Sequence, residues 1–438
     1  MNVTVMSWIS ASIDIDSFAS NSAMPNQHSS QIIALITLFW EFLKLGCTSF
    51  GGPAAHVVFF HQRFVKQLDW ITEAQYAQLM GLAQMLPGPT SSQVGLSIGY
   101  LSRGYLGAIV AWLGFTLPSA LFMAVIAITG SHFLSDDQVL FFHVVQLLVL
   151  AVVSWAFWQM MQSFCKTTWH YVLMLIATAI MCFVSHLANQ FIVIGLGIVA
   201  GLFMGRLKQR DSLGSTFNSS VKTRSNTPTK TPQHFHALWR WGSVFVVVAI
   251  VLQLWSIQSN SVLAHSLNAF YQTGAMVFGG GHVVLPLLQN AFVAEGFVVS
   301  EQFDLGYATV QLMPGPLFSF ASYLGAGLNL TPYVALNAAL ATLMIFLPSF
   351  FLMFALLPYW QWLASQQWIG RAIVGINAAV VGLLLSVILQ MMPRYIVQIS
   401  DVIFVLVVCF ALWRKYPLVP TLLLSFVLYY AGLNFISA

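Results

Sequence analysis

The stretch "LAQMLPGPTSSQVG", Leu82 to Gly95, sets Pro-Gly-Pro in an apolar region, and "VQLMPGPLFSFASYLG", Val310 to Gly325, repeats it 227 positions later. Proline lacks an amide donor and disfavours helix in the residue before it, so the helix entering each motif must end there. The pieces flanking Pro87-Gly88-Pro89 cover 72–86 and 90–102. At about 1.5 Å per residue, neither crosses a hydrocarbon core of about 30 Å. Pro89 suits the first turn of a new helix, and Thr90, Ser91 and Ser92 can cap its free amides. The motif thus predicts a helix N-terminus at membrane depth, with the positive end of its dipole pointing inward. Broken backbone is tolerated at that depth only against protein or a water-filled cavity. Discontinuous helices at matching places in two repeats point to a transport site. The plainer alternative is a kinked helix.

Composition sets the stage for this reading. Of 438 residues, 58% are hydrophobic and 6% charged, with a mean hydropathy of +0.82. A soluble chain carries about 25% charged residues, so there is too little polar surface here for a water-facing globule. Apolar runs long enough to cross a bilayer, or nearly so, occur at 31–50, 139–161, 191–204, 403–413 and 418–433. The net charge of +4 does not point to nucleic acid, because seven of the 16 Lys and Arg crowd between Arg206 and Arg240. Cys47, Cys165, Cys182 and Cys409 lie in apolar segments without metal-like spacing and read as small buried hydrophobes. Residues 1–30 form a polar tail without the charged start and cleavage site of a signal peptide.

The duplication extends beyond Pro-Gly-Pro. Phe50-Gly51-Gly52 aligns with Phe278-Gly279-Gly280, the Pro-Gly-Pro motifs follow, and "FTLPSALFM" (115–123) matches "IFLPSFFLM" (345–353). The offsets are 228, 227 and 230. Three landmarks in one order define two repeats, at 31–207 and 241–438, joined by a basic linker at 208–240. The linker composition predicts disorder, and its charge predicts a cytoplasmic location. A segment at 242–257 has no counterpart in the first repeat. With six segments in the first repeat, this extra helix makes the second enter from the opposite side. The fold expected is an all-α polytopic membrane protein of two homologous, inverted repeats with broken helices and roughly 12–13 membrane segments.

The Gly-Gly landmarks predict two further breaks. Gly51 and Gly52 end the first span and Pro53 suits the next helix; Gly279, Gly280 and Gly281 repeat the pattern. Tight helix packing is the rival role for these glycines. Four such ends converging on one midplane cavity would favour a small anion, because free amides and helix N-termini attract negative charge. Lys44, three residues after Glu41 and on its helical face, either pairs with it or adds positive charge to the cavity. His56 and His282 follow the two Gly-rich breaks, out of register by two residues; they are core histidines, oxyanion donors or proton carriers. Gln84 and Gln311, one turn before each Pro-Gly-Pro, are uncharged donors or helix glue. Arg63, Lys66 and Arg103 read as interfacial anchors. No metal cluster, nucleophile triad, phosphate loop or cofactor motif is present in the sequence, which argues against an enzyme.

Together "LKLGCTSFGGPAAH", "LAQMLPGPTSSQVGLSIGY", "GFTLPSALFM", "FGGGHVVLPLL" and "LMPGPLFSFASYLGA" resemble the chromate ion transporter family in its long, two-domain form. The resemblance covers most of 39–123 and 270–353. It implies export of chromate, a tetrahedral dianion like sulfate, across the inner membrane, giving resistance. Its motif positions fall on Phe50, Gly51, Gly52, Pro53, His56, Gln84, Pro87, Gly88 and Pro89. In the second repeat they fall on Phe278 to Gly281, Pro286 and Pro314, Gly315 and Pro316. The partners expected are a small oxyanion and the lipid bilayer, with a homodimer left open. The alternatives are a sulfate or other anion carrier, an anion channel and, more remotely, a membrane-embedded enzyme.

Overall fold

The computed structural model describes residues 29–50, 52–130, 139–183, 189–211, 236–259, 261–278 and 281–437. Among these the regular structure is entirely helical. In the first repeat α1 (Ser29–Thr48) stops at the Gly-Gly landmark, and α2 (Gly52–Phe60) runs into a π-helical stretch, His61–Gln67. Next come α3 (Glu73–Met85), the Pro-Gly-Pro turn and α4 (Thr90–Gly130). Helix α4 is kinked where Arg103 (φ −148°) and Gly104 (φ +62°) leave helical geometry, so it is a half-length helix followed by a full span. The kink falls directly after 102, where the sequence ends the second piece flanking Pro-Gly-Pro. The repeat ends with α5 (Val139–Phe164), α6 (Thr168–Phe183) and α7 (Asn189–Asp211).

The second repeat replays this order behind one added helix, α8 (His236–Gln258). Helix α9 (Val262–Met276) matches α1, and α10 (Val284–Leu288) runs into a π-helical stretch at Gln289–Val293. His61 and Gln289, which start the two π-helical stretches, are 228 positions apart, so even this irregularity is duplicated. Helix α11 (Ser300–Leu312) leads into the second Pro-Gly-Pro, and α12 (Phe320–Gly327) and α13 (Val334–Leu356) correspond to the two parts of α4. A short α14 (Trp360–Ser365) precedes α15 (Gln367–Tyr395), α16 (Ile399–Trp413) and α17 (Leu418–Ser437), which match α5, α6 and α7. The basic linker lies largely at 212–235, outside the described residues, as does the tail at 1–28.

By length and composition five helices can cross a membrane: 90–130, 140–164, 236–258, 334–359 and 367–395. Shorter apolar helices, among them α6, α16 and α17, and the broken elements fill the space between. The outer surface is greasy in a helical pattern: Leu106, Ile109, Leu113, Leu117, Leu121, Val125 and Ile128 form one exposed stripe down α4. Such a stripe is the face a lipid-bathed helix presents.

The halves do not fold side by side. Helices α5 and α15, equivalent by sequence, pack on each other; α5 also packs on α16 and α17, while α15 packs on α6 and α7. This reciprocity is the mark of a two-fold relation, and both halves contribute to one core that includes Val149 and Val152 of α5 with Val380 and Leu384 of α15. Close approaches rest on small residues. A Cβ on Gly46 of α1 would lie 2.6 Å from the Phe115 carbonyl of α4, and one on the equivalent Gly274 of α9 would overlap the Ile345 carbonyl of α13. Leucine at 274 should therefore push α9 off α13, costing about 3 kcal/mol or more and abolishing the monodisperse peak of detergent-solubilised protein. Gly242→Leu, on α8 with nothing within 4 Å of its Cβ, should leave that peak intact.

Candidate functional site

Each Pro-Gly-Pro turn is tied to the Gly-Gly break of the other repeat. The Gly88 amide donates to the Val277 carbonyl at 2.6 Å, and the Gly315 amide donates to the Ser49 carbonyl at 3.1 Å. Ser49 and Val277 are 228 positions apart and each immediately precedes its Phe-Gly-Gly, so the two bonds are related by the internal symmetry. Proline on either side leaves glycine as the only amide donor of each motif. Positive φ, +123° at Gly88 and +98° at Gly315, aims that donor outward. The third landmark closes the group. A Cβ on Gly88 would overlap Ser349 Oγ, and one on Gly315 would lie 2.8 Å from Ser119 Oγ. Near the symmetry axis, Pro53 meets its own counterpart: a Cβ on Gly281 would lie 3.1 Å from Pro53 Cγ. Two prolines would collide there, which explains why the second repeat carries glycine.

The four breaks therefore converge, but the two central amides expected to face a solute are spent on backbone carbonyls. The remaining polarity is one-sided. Around the first repeat's break lie Ser49, His56, Ser91, Ser92, Gln93 and Thr116, all buried. The aligned positions in the second repeat are Val277, Val284, Phe318, Ser319, Phe320 and Phe346. Ser49 Oγ, Ser92 Oγ, Thr116 Oγ1 and Gln93 Oε1 have no hydrogen-bond partner among the described residues. Buried polar atoms are almost always paired, so four orphans around one break mark a place where a ligand or water supplies the missing partners.

The surrounding bonds hold these groups in position. His56 Nε2 lies 3.1 Å from the Ser49 carbonyl and must be the donor there; Nδ1 lies 3.4 Å from Ser91 Oγ and is left to accept. The ring stacks edge-on against Phe115. His56 thus braces the end of α1 against the start of α4 with both nitrogens engaged. Gln93 Nε2 donates to the Pro87 carbonyl at 2.6 Å, folding the side chain back over the Pro-Gly-Pro turn and leaving Oε1 unserved. Thr90, Ser91 and Ser92 open α4, where the first amides have no intrahelical carbonyl to bond. Pro89 and Pro316 stand one position before the helical turns they start, at the cap and not in the first turn.

Other residues singled out from the sequence lie elsewhere. Lys44 pairs with Glu41 at 3.1 Å, and its side chain is 63% exposed. Arg63 clamps the second oxygen of Glu41 through Nε and Nη2 at 2.7 and 2.6 Å, while Lys66 and His61 hold Glu73. These ion pairs form a cluster on the first repeat, apart from the buried hydroxyls. Gln84 is exposed; Gln311 is buried and bonds to Tyr307 one turn back. Pro87 and Pro314 are half-buried, and Pro286 is buried. Gly51, Gly279, Gly280 and the His282 side chain lie outside the described residues. Sequence reading missed Ser49, Gln93 and Thr116. The signal was available in the aligned repeats, where each polar residue faces a Val or Phe.

The chain matches the chromate transporter family over residues 36–202 and 264–433, one match per repeat, and belongs to that family. It is 24% identical over 403 residues to a probable chromate transport protein of Synechococcus elongatus, covering 90% of this chain and 94% of that one. It is 27% identical over 355 residues to a chromate transport protein of Pseudomonas aeruginosa, covering 79% and 78%. It is 25% identical over 397 residues to one of Cupriavidus metallidurans, covering 88% and 90%. No solved structure matches.

Two glycine substitutions separate backbone strain from collision at the breaks. Gly52 has φ +75° with open space around its Cβ, so Gly52→Ala should cost only the left-handed strain of about 1–2 kcal/mol and leave the protein folded. Gly88→Ala adds the collision with Ser349 and should lower the melting temperature in detergent markedly further. Adding Ser349→Gly should restore part of that loss.

Proposed function

We propose that this chromate transporter family member is a secondary transporter that carries chromate outward across the cytoplasmic membrane, with the first repeat's break as its binding site. The observation that carries this reading is the set of orphaned donors, Ser49, Ser92 and Thr116, beside the opening turn of α4. A tetrahedral dianion offers only acceptors, and hydroxyls with helix N-terminal amides offer matching donors. Among the described residues no Lys or Arg lies in this group, so binding rests on hydrogen bonds and the helix dipole and stays weak enough for release. The relatives named as chromate transport proteins supply the identity of the anion.

The energetics suit export. Each elementary charge crossing the membrane potential is worth about 2.3 kcal/mol per 100 mV, so a dianion leaving a negative interior gains about 4.6 kcal/mol per 100 mV. The added helix α8 supports an inverted second repeat, since one extra crossing reverses its sense of entry. In that arrangement the bonds Gly88–Val277 and Gly315–Ser49 lie toward opposite faces of the site. Parting one while keeping the other opens the site to one side at a time.

Inside-out membrane vesicles energised with respiratory substrate should take up chromate when they contain the protein, and sulfate in excess should compete. Ser92→Ala with Thr116→Val removes two net hydrogen bonds of about 1 kcal/mol each and should weaken chromate transport about 10- to 30-fold. Pro87→Ala with Pro89→Ala should abolish it, while Lys44→Gln should leave it within about twofold, as the exposure of that side chain implies. Unchanged transport in the hydroxyl double variant would remove this site from the pathway. Sulfate moving faster than chromate would reassign the substrate.

A further inference from the structure

Two buried aspartates lie where α5 meets the second repeat, and they are served very differently. Asp401, fully buried at the start of α16, accepts from the Val397 and Gln398 amides, both at 2.9 Å, from Tyr429 Oη at 2.6 Å and from His143 Nε2 at 3.1 Å. It is a satisfied helix cap. Asp304 on α11 is 1% exposed and accepts on one oxygen only: Tyr395 Oη donates to Oδ2 at 2.5 Å and Gln146 Nε2 donates to it at 3.3 Å. Oδ1 is buried and has no partner among the described residues. No Lys, Arg or His pairs with Asp304 there. An ionised carboxylate in that setting has no cation in contact and too few donors, and the species that relieves it is a proton.

We infer that Asp304 is a proton-binding site through which proton movement is coupled to anion movement; this rests on the transport reading above. Its position makes the coupling mechanical. Helix α11 starts at Ser300, where Glu301 is exposed, and Asp304 lies one turn further in. The other end of α11 runs into Pro314-Gly315-Pro316, whose glycine amide holds the Ser49 carbonyl. About 12 Å of helix therefore joins Asp304 to the turn that leads into the break. The ties to Asp304 come from α5 (Gln146) and α15 (Tyr395), so gain or loss of charge at one carboxyl alters how α11 is held between two long helices. The other polar and titratable groups near it are Glu301 on α11, Arg394 on α15, and Tyr323 on α12, whose hydroxyl donates to the Gln302 carbonyl. In Pro-Gly-Pro register the first repeat has Ala77 at this place, so the site occurs once.

A purely structural bracket makes a different prediction from a proton site, because asparagine can still accept from Tyr395 but cannot titrate. Full-length protein would be reconstituted in liposomes holding a pH-sensitive dye, with the potential clamped at zero by potassium and valinomycin, and chromate added outside. Wild type should move chromate with a simultaneous change in lumenal pH, and Asp304→Asn should keep chromate counterflow within a few-fold while losing the pH change at least tenfold. Chromate flux in wild type with no pH change, or a pH change preserved in Asp304→Asn, overturns the inference. Absence of any chromate flux in wild type overturns the transport reading instead. Infrared spectroscopy then decides the proton site on its own. Wild type should show a protonated-carboxyl band that titrates, is absent from Asp304→Asn, and shifts in Tyr395→Phe if the asparagine variant does not fold. A spectrum insensitive to both substitutions sinks it.

Discussion

A broken helix in a bilayer must find partners for its backbone from within the protein, because lipid offers none. Here that requirement is met by exchange between repeats. The only amide of Pro87-Gly88-Pro89 goes to the carbonyl before the second Gly-rich break, and the only amide of Pro314-Gly315-Pro316 goes to the carbonyl before the first. Neither repeat can close this account alone. A single copy would leave the Gly88 amide without its acceptor, at the cost of an unpaired buried group, about 1–3 kcal/mol, and would leave the Ser49 carbonyl with His56 as its one donor. The duplication is thus a structural necessity within this chain, and the crossed packing of α5 and α15 follows from the same symmetry.

Symmetric scaffolding leaves the two linings free to diverge. One break keeps serines, a threonine, a glutamine and a histidine; the other has filled the same positions mainly with valine and phenylalanine. The apolar version buries large side chains, Phe318 and Phe320 among them, and stiffens the wall against which the polar version works. Gly281 against Pro53 shows the limit on such divergence. Positions on the axis touch their own counterparts, so one of the pair must stay small.

Much of this was legible in the sequence, and the part that was not has a clear physical reason. Landmark order and spacing revealed the duplication, Pro-Gly-Pro located the helix breaks, and the piece read at 90–102 ended just before the kink at Arg103-Gly104. These are local properties of backbone chemistry, and they survive without knowledge of neighbours. The cross-ties were not legible, because a carbonyl carries no side-chain signature: nothing in "TSF" or "MVF" marks Ser49 and Val277 as acceptors. Lys44 attracted attention as a charge within a span, yet Arg63, arriving from a later helix, completes an ion-pair cluster at Glu41 that keeps it outward. Asp304 passed unnoticed for the converse reason. A lone acid near a helix start looks like ordinary N-terminal decoration, and only the approach of α5 and α15 makes it buried and under-served.

The choice of hydroxyls over cations at the break has a kinetic logic. A guanidinium or ammonium facing a dianion in a low-dielectric site would bind it tightly, and release would then limit turnover. Hydroxyls and amides supply directional donors without net charge, so on the proposed reading the anion would enter a site that complements its shape and does not neutralise it. The uncompensated charge would keep the loaded state sensitive to the membrane potential, the force that the proposed outward movement would use. In such a design the single under-served carboxyl of α11 is the natural place for a second charge to act on the same helix. It lies at the end of α11 remote from the proposed anion site, where its field would be weak, and its effect would reach the break through the backbone that ends at Gly315.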